Sequence, residues 1–565
     1  MSYFSEDCPI QLLPHQIEHV RNMWHALFKD KIYGVVDTSI VGSGKTFAAL
    51  YLAWHMQKKY DTKIFLIAPS DASLNNDDGW LSHAEEFGVK IEYATTYSSL
   101  RGGRGTVSHP WLIPDPEDKK NWVASSEFKS LCKKGVLLLM DESHHAKNLS
   151  MTHFACAALV KAAKKYRDVC RVLLCSHTPG DKDEHCVQLL RMAGIVTSTK
   201  MFQHVAFTSD FEIEGYGLGE LIRVCKKISP RDSARIDDMM ENMSKAKSLR
   251  ITKELYREFI RQEITFAMPV PKNEYKVTLQ NAFLETDAES LKLLEDGLAM
   301  LGGAVHWNGH GVDDNQQWNL GNVTTSLKMI EQGKLCSMAK YVNREAKKFK
   351  NKKFVISCGA RDVQNHTILQ QMIYRETKPE DYIPILKELK KKNKYWAQVP
   401  NDVINYHLFP VLCEKKRPHI LNGETSKAER VNIIRKFQED NNECWCLLIS
   451  PGVGSESISL HDKIGGRPRD MLVTPDYYFT RVVQNAGRIN RVGMKSDAKV
   501  MIVYSKEASI ETSILQSMVM KSKTARDMIA EGQKVTYPGE YPYFIEGKQD
   551  RELEEYLEML KEQVQ

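Results

Sequence analysis

Ser39-Ile40-Val41-Gly42-Ser43-Gly44-Lys45-Thr46 is the stretch on which the fold of this 565-residue chain turns. The apolar run Tyr33–Val36 precedes it, and an apolar helical pattern from Phe47 to Met56 follows. Strand, glycine loop and helix in that order form a phosphate-binding loop. Glycines such as Gly42 and Gly44 let backbone N–H groups converge on phosphate oxygens with no Cβ in the way. Ser43 lies between them, and the helix that follows adds its positive N-terminal end. Lys45 is placed to reach the β and γ phosphates, and the Thr46 hydroxyl to bind Mg2+.

A second segment supplies what the loop lacks. Asp141-Glu142 ends the run Val136–Met140. A carboxylate pair at the end of a buried strand is costly unless it binds something. Asp141 is placed to hold Mg2+, and Glu142 to activate an attacking water. A third segment, Gln484-Asn485-Ala486-Gly487-Arg488-Ile489-Asn490-Arg491, reads as helical. Arg488 and Arg491 then share a face. Permanently charged guanidinium groups suit charge that spreads over phosphate oxygens.

Apolar runs spaced by helical patterns recur along the chain. Tyr33–Val36, Lys63–Ala68, Val136–Met140 and Arg171–Cys175 form one set; Lys353–Ser357, Trp445–Ser450, Met471–Thr474 and Lys499–Tyr504 form another. Strands alternating with helices predict a doubly wound parallel sheet, here twice. The predicted fold class is α/β, two tandem parallel-sheet lobes with helical insertions. The predicted boundaries are 1–200 for the first lobe, 201–330 for a helical inter-lobe element, 331–510 for the second lobe with an insertion near 362–415, and 511–565 for a helical tail. The insertion carries the basic run 387–394, and the tail an apolar stripe from Leu553 to Val564.

The formal net charge of +6, from 78 basic and 72 acidic residues, permits a nucleic-acid partner without arguing for one. The 12 cysteines show no paired C-x-x-C spacing, which suits reduced intracellular thiols. No signal pattern opens the chain, and no apolar run approaches the ~20 residues of a membrane span. The expectation is a soluble intracellular protein, its compartment open among cytoplasm, nucleus and virion, with no membrane partner.

Taken in order, these motifs resemble those of the superfamily 2 helicase-like ATPases, within them the Snf2-like branch, over most of Leu12 to Tyr504. Leu12-Leu13-Pro14-His15-Gln16 is similar to the adenine-recognition motif, which implies that Gln16 meets the base. Ala68-Pro69-Ser70, then Trp80 with Glu86-Phe87, then Thr95-Thr96-Tyr97-Ser98-Ser99-Leu100 resemble the next motifs. Asp141 to Asn148 and Ser176-His177-Thr178-Pro179 are similar to motifs II and III. In the second lobe Leu421–Ser426, Gly452–Leu460 and Gln484–Arg491 resemble the Gly-x-x-Ser segment, motif V and motif VI.

The resemblance implies RecA-like lobes, ATP and Mg2+ as cofactors, and catalytic roles for Lys45, Asp141, Glu142, Gln484, Arg488 and Arg491. It implies nucleic-acid contacts at Ser70, Thr96, Tyr97, Ser98 and Ser455. The activity it implies is ATP-driven translocation on double-stranded DNA, in viral transcription beside an RNA polymerase, since the compact chain looks most like viral members such as poxvirus nucleoside triphosphatase I. A strand-separating helicase on DNA or RNA and a non-catalytic scaffold stay open as alternatives. Ser143 in place of the usual Ala, Ser-His-Thr in place of Thr-Gly-Thr, and Gly-Ser-Glu-Ser in place of Gly-Gly-Leu-Gly depart from the pattern and weigh against chromatin remodelling.

Overall fold

The computed structural model describes residues 7–76, 78–102, 110–116, 122–197, 217–239, 245–269, 274–285, 291–292, 294–297, 299, 320–359, 419–423, 425–450, 458–475, 479–505, 509–533 and 536–546. The chain divides into two compact units, 1–272 with 521–535, and 273–520 with 536–565.

The first unit is built on a six-stranded parallel sheet. Its strands are β1 (Gly34–Asp37), β2 (Lys63–Ala68), β3 (Ile91–Thr96), β6 (Val136–Asp141), β7 (Arg171–Cys175) and β8 (Thr265–Phe266), in the order β3-β2-β6-β7-β1-β8. A short antiparallel hairpin, β4 (Leu112–Pro114) and β5 (Trp122–Ala124), lies apart from it. The helices are α1 (Pro14–Phe28), α2 (Lys45–Tyr60), α3 (Asp71–Asn75), α4 (Trp80–Glu86), α5 (Tyr97–Arg101), α6 (Ser126–Lys134), α7 (Met151–Lys164) and α8 (Glu184–Met192). Four more follow, α9 (Gly217–Ile228), α10 (Ser233–Asp238), α11 (Lys245–Leu255) and α12 (Arg261–Ile264).

Unbroken apolar strands are what a sheet covered on both faces requires. Leu138 and Met140 of β6 pack into one core with α6, α7 and α8, while Leu137 and Leu139 pack into the other with α1, α2 and α4. Alternate side chains of one strand thus serve opposite faces. Register across the sheet pairs Asp37 with Cys175 and Cys175 with Asp141. The last residues of β1, β7 and β6 therefore stand in one row at the C-terminal edge, where open α/β sheets bind ligands.

The second unit carries a seven-stranded parallel sheet in the order β11-β12-β10-β13-β14-β9-β15. The strands are β9 (Val277–Phe283), β10 (Lys353–Ser357), β11 (His419–Leu421), β12 (Cys446–Ile449), β13 (Arg469–Val473), β14 (Ala498–Tyr504) and β15 (Tyr543–Ile545). Helices Leu320–Lys348, Lys427–Gln438, Phe479–Ala486 and Ser509–Asp527 accompany it. Lys353 opens β10 fully buried; its Nζ donates to the Phe437 and Glu439 carbonyls at 2.9 and 2.7 Å. Arg469 opens β13 with its guanidinium 4.5 Å from the Phe437 ring centroid, a cation held on an aromatic face.

Two parallel-sheet lobes of the RecA-like kind are therefore present, as the strand pattern predicts. All eight predicted strands form, within one or two residues at their ends. The stretch expected to lie between the lobes is divided at 272/273. Leu221, Leu255, Tyr256 and Ile260 of its helices enter a core of the first unit, and β9 pairs with β14 of the second. Tail residues 521–535 join the first unit, with Met528 in the same core as Tyr256. The second insertion with its basic run, and the stripe from Leu553 to Val564, lie outside the described residues. No helix among the described residues is long and apolar enough to cross a membrane.

Candidate nucleotide site

The glycine loop leaves β1 and enters α2 through two residues of left-handed backbone, Gly42 at φ 81° and Gly44 at φ 94°. Only glycine takes such angles without a steric cost. Ser43 is buried, its hydroxyl on the Ile40 carbonyl at 2.8 Å. Thr46 sits in the first turn of α2. Lys45 is almost fully buried; its Nζ donates to the carbonyls of Ser39 and Ile40 at 2.8 and 3.1 Å. Gln16 lies against the loop from the first turn of α1. Its Oε1 accepts from Leu13 N at 3.0 Å and its Nε2 donates to Ser43 O at 3.3 Å. The residue assigned to the base is thus fixed to the phosphate loop itself.

The base of the loop is anchored by groups that the motif does not announce. Asp37, fully buried, accepts from Ser39 N at 2.9 Å and lies 3.1 Å from His19 Nε2. Burial raises its carboxyl, but His19, Lys45 and Ser39 together hold it below the usual range. Thr38 N donates to Phe266 O at 2.7 Å, and Met268 N to Ser39 Oγ at 2.8 Å, which ties the loop to β8 and to the residues just beyond that strand. Ala530 N of the C-terminal segment donates to Thr38 Oγ1 at 3.1 Å. A sequence signal for Asp37 exists: like Asp141, it is a carboxylate at the end of a buried strand. His19 has a weaker one, one turn beyond Gln16 on α1.

Asp141 closes β6. Trp80 Nε1 donates to its Oδ2 at 2.8 Å, and the Tyr97 hydroxyl to its backbone carbonyl at 2.8 Å. Glu142 takes φ 47°, a left-handed angle that costs an L-residue about 1–2 kcal/mol. Such strain persists where surroundings enforce it, and functional sites are where it concentrates. His144 Nδ1 lies 3.2 Å from Glu142 Oε2 and 3.2 Å from Ser176 Oγ. Burial and the adjacent Glu142 carboxylate push Asp141 upward, against Trp80 and Lys45. Burial also raises Glu142, but His144 and Lys45 outweigh it and hold this carboxylate ionised. Lys45 thus acts by its charge on Asp37, Asp141, Glu142 and His177 alike.

The segment after β7 completes the row. Ser176 N donates to Asp37 O at 3.0 Å, and burial, then Lys45, lower the His177 imidazole to about 4, so it is neutral at pH 7. Lys147 and Asn148, which end the stretch that resembles motif II, are tied to the same segment. Lys147 Nζ meets Asp181 Oδ1 at 2.7 Å, and His185 bridges Asp181 to Asn148 Oδ1, the latter at 3.0 Å. A Cβ at Gly180 would meet His185 Cβ at 2.7 Å as well as Met528 Sδ at 2.4 Å, and the first of these cannot swing away.

Of the positions expected to touch nucleic acid, Ser70 and Thr96 cap α3 and α5 through Ser73 N and Ser99 N, at 3.3 and 3.2 Å. Tyr97 is buried, committed to Asp141 and stacked on His145 at 5.5 Å. Ser98 is exposed, and Ser455 lies outside the described residues.

In the second unit the helix Phe479–Ala486 ends before Gly487, so Arg488 and Arg491 stand beyond it and not on the helix face that the spacing predicts. Glycine there lowers helix propensity by about 1 kcal/mol. The two arginines still converge. Arg488 Nη1 and Arg491 Nη2 donate to the Ile458 carbonyl at 3.4 and 3.3 Å, and Arg491 Nη1 to Ser459 Oγ at 2.9 Å. Gln484 is buried, and Asn485 Nδ2 donates to Ser357 Oγ at 3.2 Å at the end of β10.

The donor set of the first unit fits Mg2+ with a nucleoside triphosphate: a hydroxyl at Thr46, a carboxylate at Asp141 and a lysine at a glycine loop. Mg2+ is held by one or two carboxylates together with substrate phosphates. The repulsion between Asp141 and Glu142 is what a dication would relieve. Residues 9–175 match the family model described as type III restriction enzyme, res subunit. That model is a helicase-like superfamily 2 domain, and the matched stretch runs to the last residue of β7. No curated protein matches the chain.

Proposed function

We propose that this chain is a nucleic-acid-dependent ATPase that translocates on double-stranded DNA, of the Snf2-like kind. The observation that supports the ATPase reading is the C-terminal edge of the first sheet, where Asp37, Cys175 and Asp141 stand in one row, with the left-handed glycine loop following β1 and Glu142 following β6. Gln16 holds the base, and Lys45 with the loop N–H groups holds the phosphates. Thr46 and Asp141 hold Mg2+, which when bound neutralises phosphate charge. Glu142, kept ionised, takes the proton of the attacking water. Arg488 and Arg491 enter this reading through the family resemblance alone, as do the DNA contacts and a place beside an RNA polymerase in viral transcription.

ATP hydrolysis measured with duplex DNA, single-stranded DNA and RNA at several salt concentrations tests it. Duplex DNA is expected to stimulate most, with stimulation falling as salt rises. Lys45→Ala and Glu142→Gln are expected to lose about 100-fold or more. Stimulation by RNA alone would overturn the duplex-DNA reading, and normal rates in both variants the site.

A further inference from the structure

Trp80 opens α4 and is 3% exposed, yet its indole reaches the carboxylate of motif II rather than the apolar interior alone. An indole N–H can only donate, so burying it calls for an acceptor. Here the acceptor is Asp141 Oδ2 at 2.8 Å, and the Glu142 backbone N–H is a second donor to the same carboxylate. The same short helix also packs beside the residue that follows Thr46. His83 in the middle of the helix and Phe87 just past its end pack on Phe47 with ring centroids 4.9 and 5.6 Å apart. Phe47 follows Thr46 directly. Gly79 starts the helix where a Cβ would meet the carbonyls of Asn76 and Leu74 at 2.7 and 2.8 Å, so the turn into Trp80 is closely fixed.

We infer that Trp80 is a positioning residue for Mg2+ binding, holding the Asp141 carboxylate in the orientation that shares the ion with Thr46. The inference rests on the ATPase reading and deepens it. Outer-sphere partners of this kind orient metal-binding carboxylates, and their loss costs about 10–100-fold in metal affinity. A tryptophan that merely filled space would contribute stability and leave Mg2+ dependence unmoved.

The test uses the full chain with Trp80→Phe, which keeps an aromatic ring and removes the indole donor together with one ring's worth of buried volume. Trp122→Phe, the same exchange in the β4–β5 hairpin, is the comparison. The readout is the affinity for a fluorescent ATP analogue across a Mg2+ titration, followed by hydrolysis across the same titration. Trp80→Phe is expected to raise the half-saturating Mg2+ concentration about 10-fold or more. At saturating Mg2+ its nucleotide affinity should return to the wild-type value, and Trp122→Phe should titrate as wild type. An unchanged Mg2+ midpoint in Trp80→Phe overturns the inference. So does a loss that no Mg2+ concentration restores, because that marks a damaged fold. If the wild-type chain itself binds no nucleotide at any Mg2+ concentration, the functional reading fails and this inference falls with it.

Discussion

Gly44 concentrates the constraints on the loop into one residue. Its φ of 94° lies where an L side chain is strained, and a Cβ there would stand 2.3 Å from Gln16 Nε2. Gln16 is a flexible residue by type, but Leu13 N and Ser43 O hold both ends of its amide. Gly44→Ala is therefore expected to cost about 1–2 kcal/mol of stability. It should also weaken nucleotide binding more than its stability loss explains, because the loop must rotate and Gln16 must leave. Denaturation and titration of a fluorescent nucleotide on the same variant separate the two. Lys45, Asp141 and Glu142 were legible because local chemistry marks them: a lysine after glycines, and carboxylates after an apolar run. Trp80 resembles a motif residue and His19 carries a weak signal, but the partner of each stays hidden, since it lies 61 or 18 residues away and nothing near either residue names it.

At the scale of elements, burial on both faces is what made strands readable. β6, β7 and β10 are apolar almost throughout, and each was predicted within a residue. β9 contains Gln280 and Asn281, and its first four residues are only half-buried, so its pattern resembles a surface segment. The docking of 521–535 was equally hidden. Met528 is fully buried in a core of the first unit, the Tyr256 hydroxyl donates to its carbonyl at 2.8 Å, and Lys253 bridges Asp183 and Asp527 at 2.9 and 3.0 Å. Met528→Ala should destabilise the first unit by about 2–5 kcal/mol. Hydrogen exchange should quicken in α11 and around Gly180 while the second sheet keeps its protection; uniform exchange across both units would contradict this packing.

For the whole molecule, acid sensitivity follows from buried imidazoles. His55, His153 and His177 in the first unit and His461 in the second are each lowered to about 4, chiefly by burial. The folded value lies below the ordinary ~6.5, so the unfolded chain binds the proton first. Their contribution is complete above about pH 6.5 and is lost as pH falls toward 4, at up to about 1.4 kcal/mol per pH unit for each. Urea unfolding at pH 7, 6 and 5 should show the decline, and His153→Gln should make it shallower. A flat profile would contradict it. Because Asp37, Cys175 and Asp141 stand in one row, the loops after β1 and β6 begin two strand spacings apart, about 9.6 Å. One residue inserted into β1, β6 or β7 would slide its loop about 3.3 Å past the others and turn its side chains to the opposite face. Changes of length in this half of the chain belong to connections at the other end of the strands, such as Lys165–Cys170 ahead of β7. In the three strands themselves, the count of residues is as constrained as their identity.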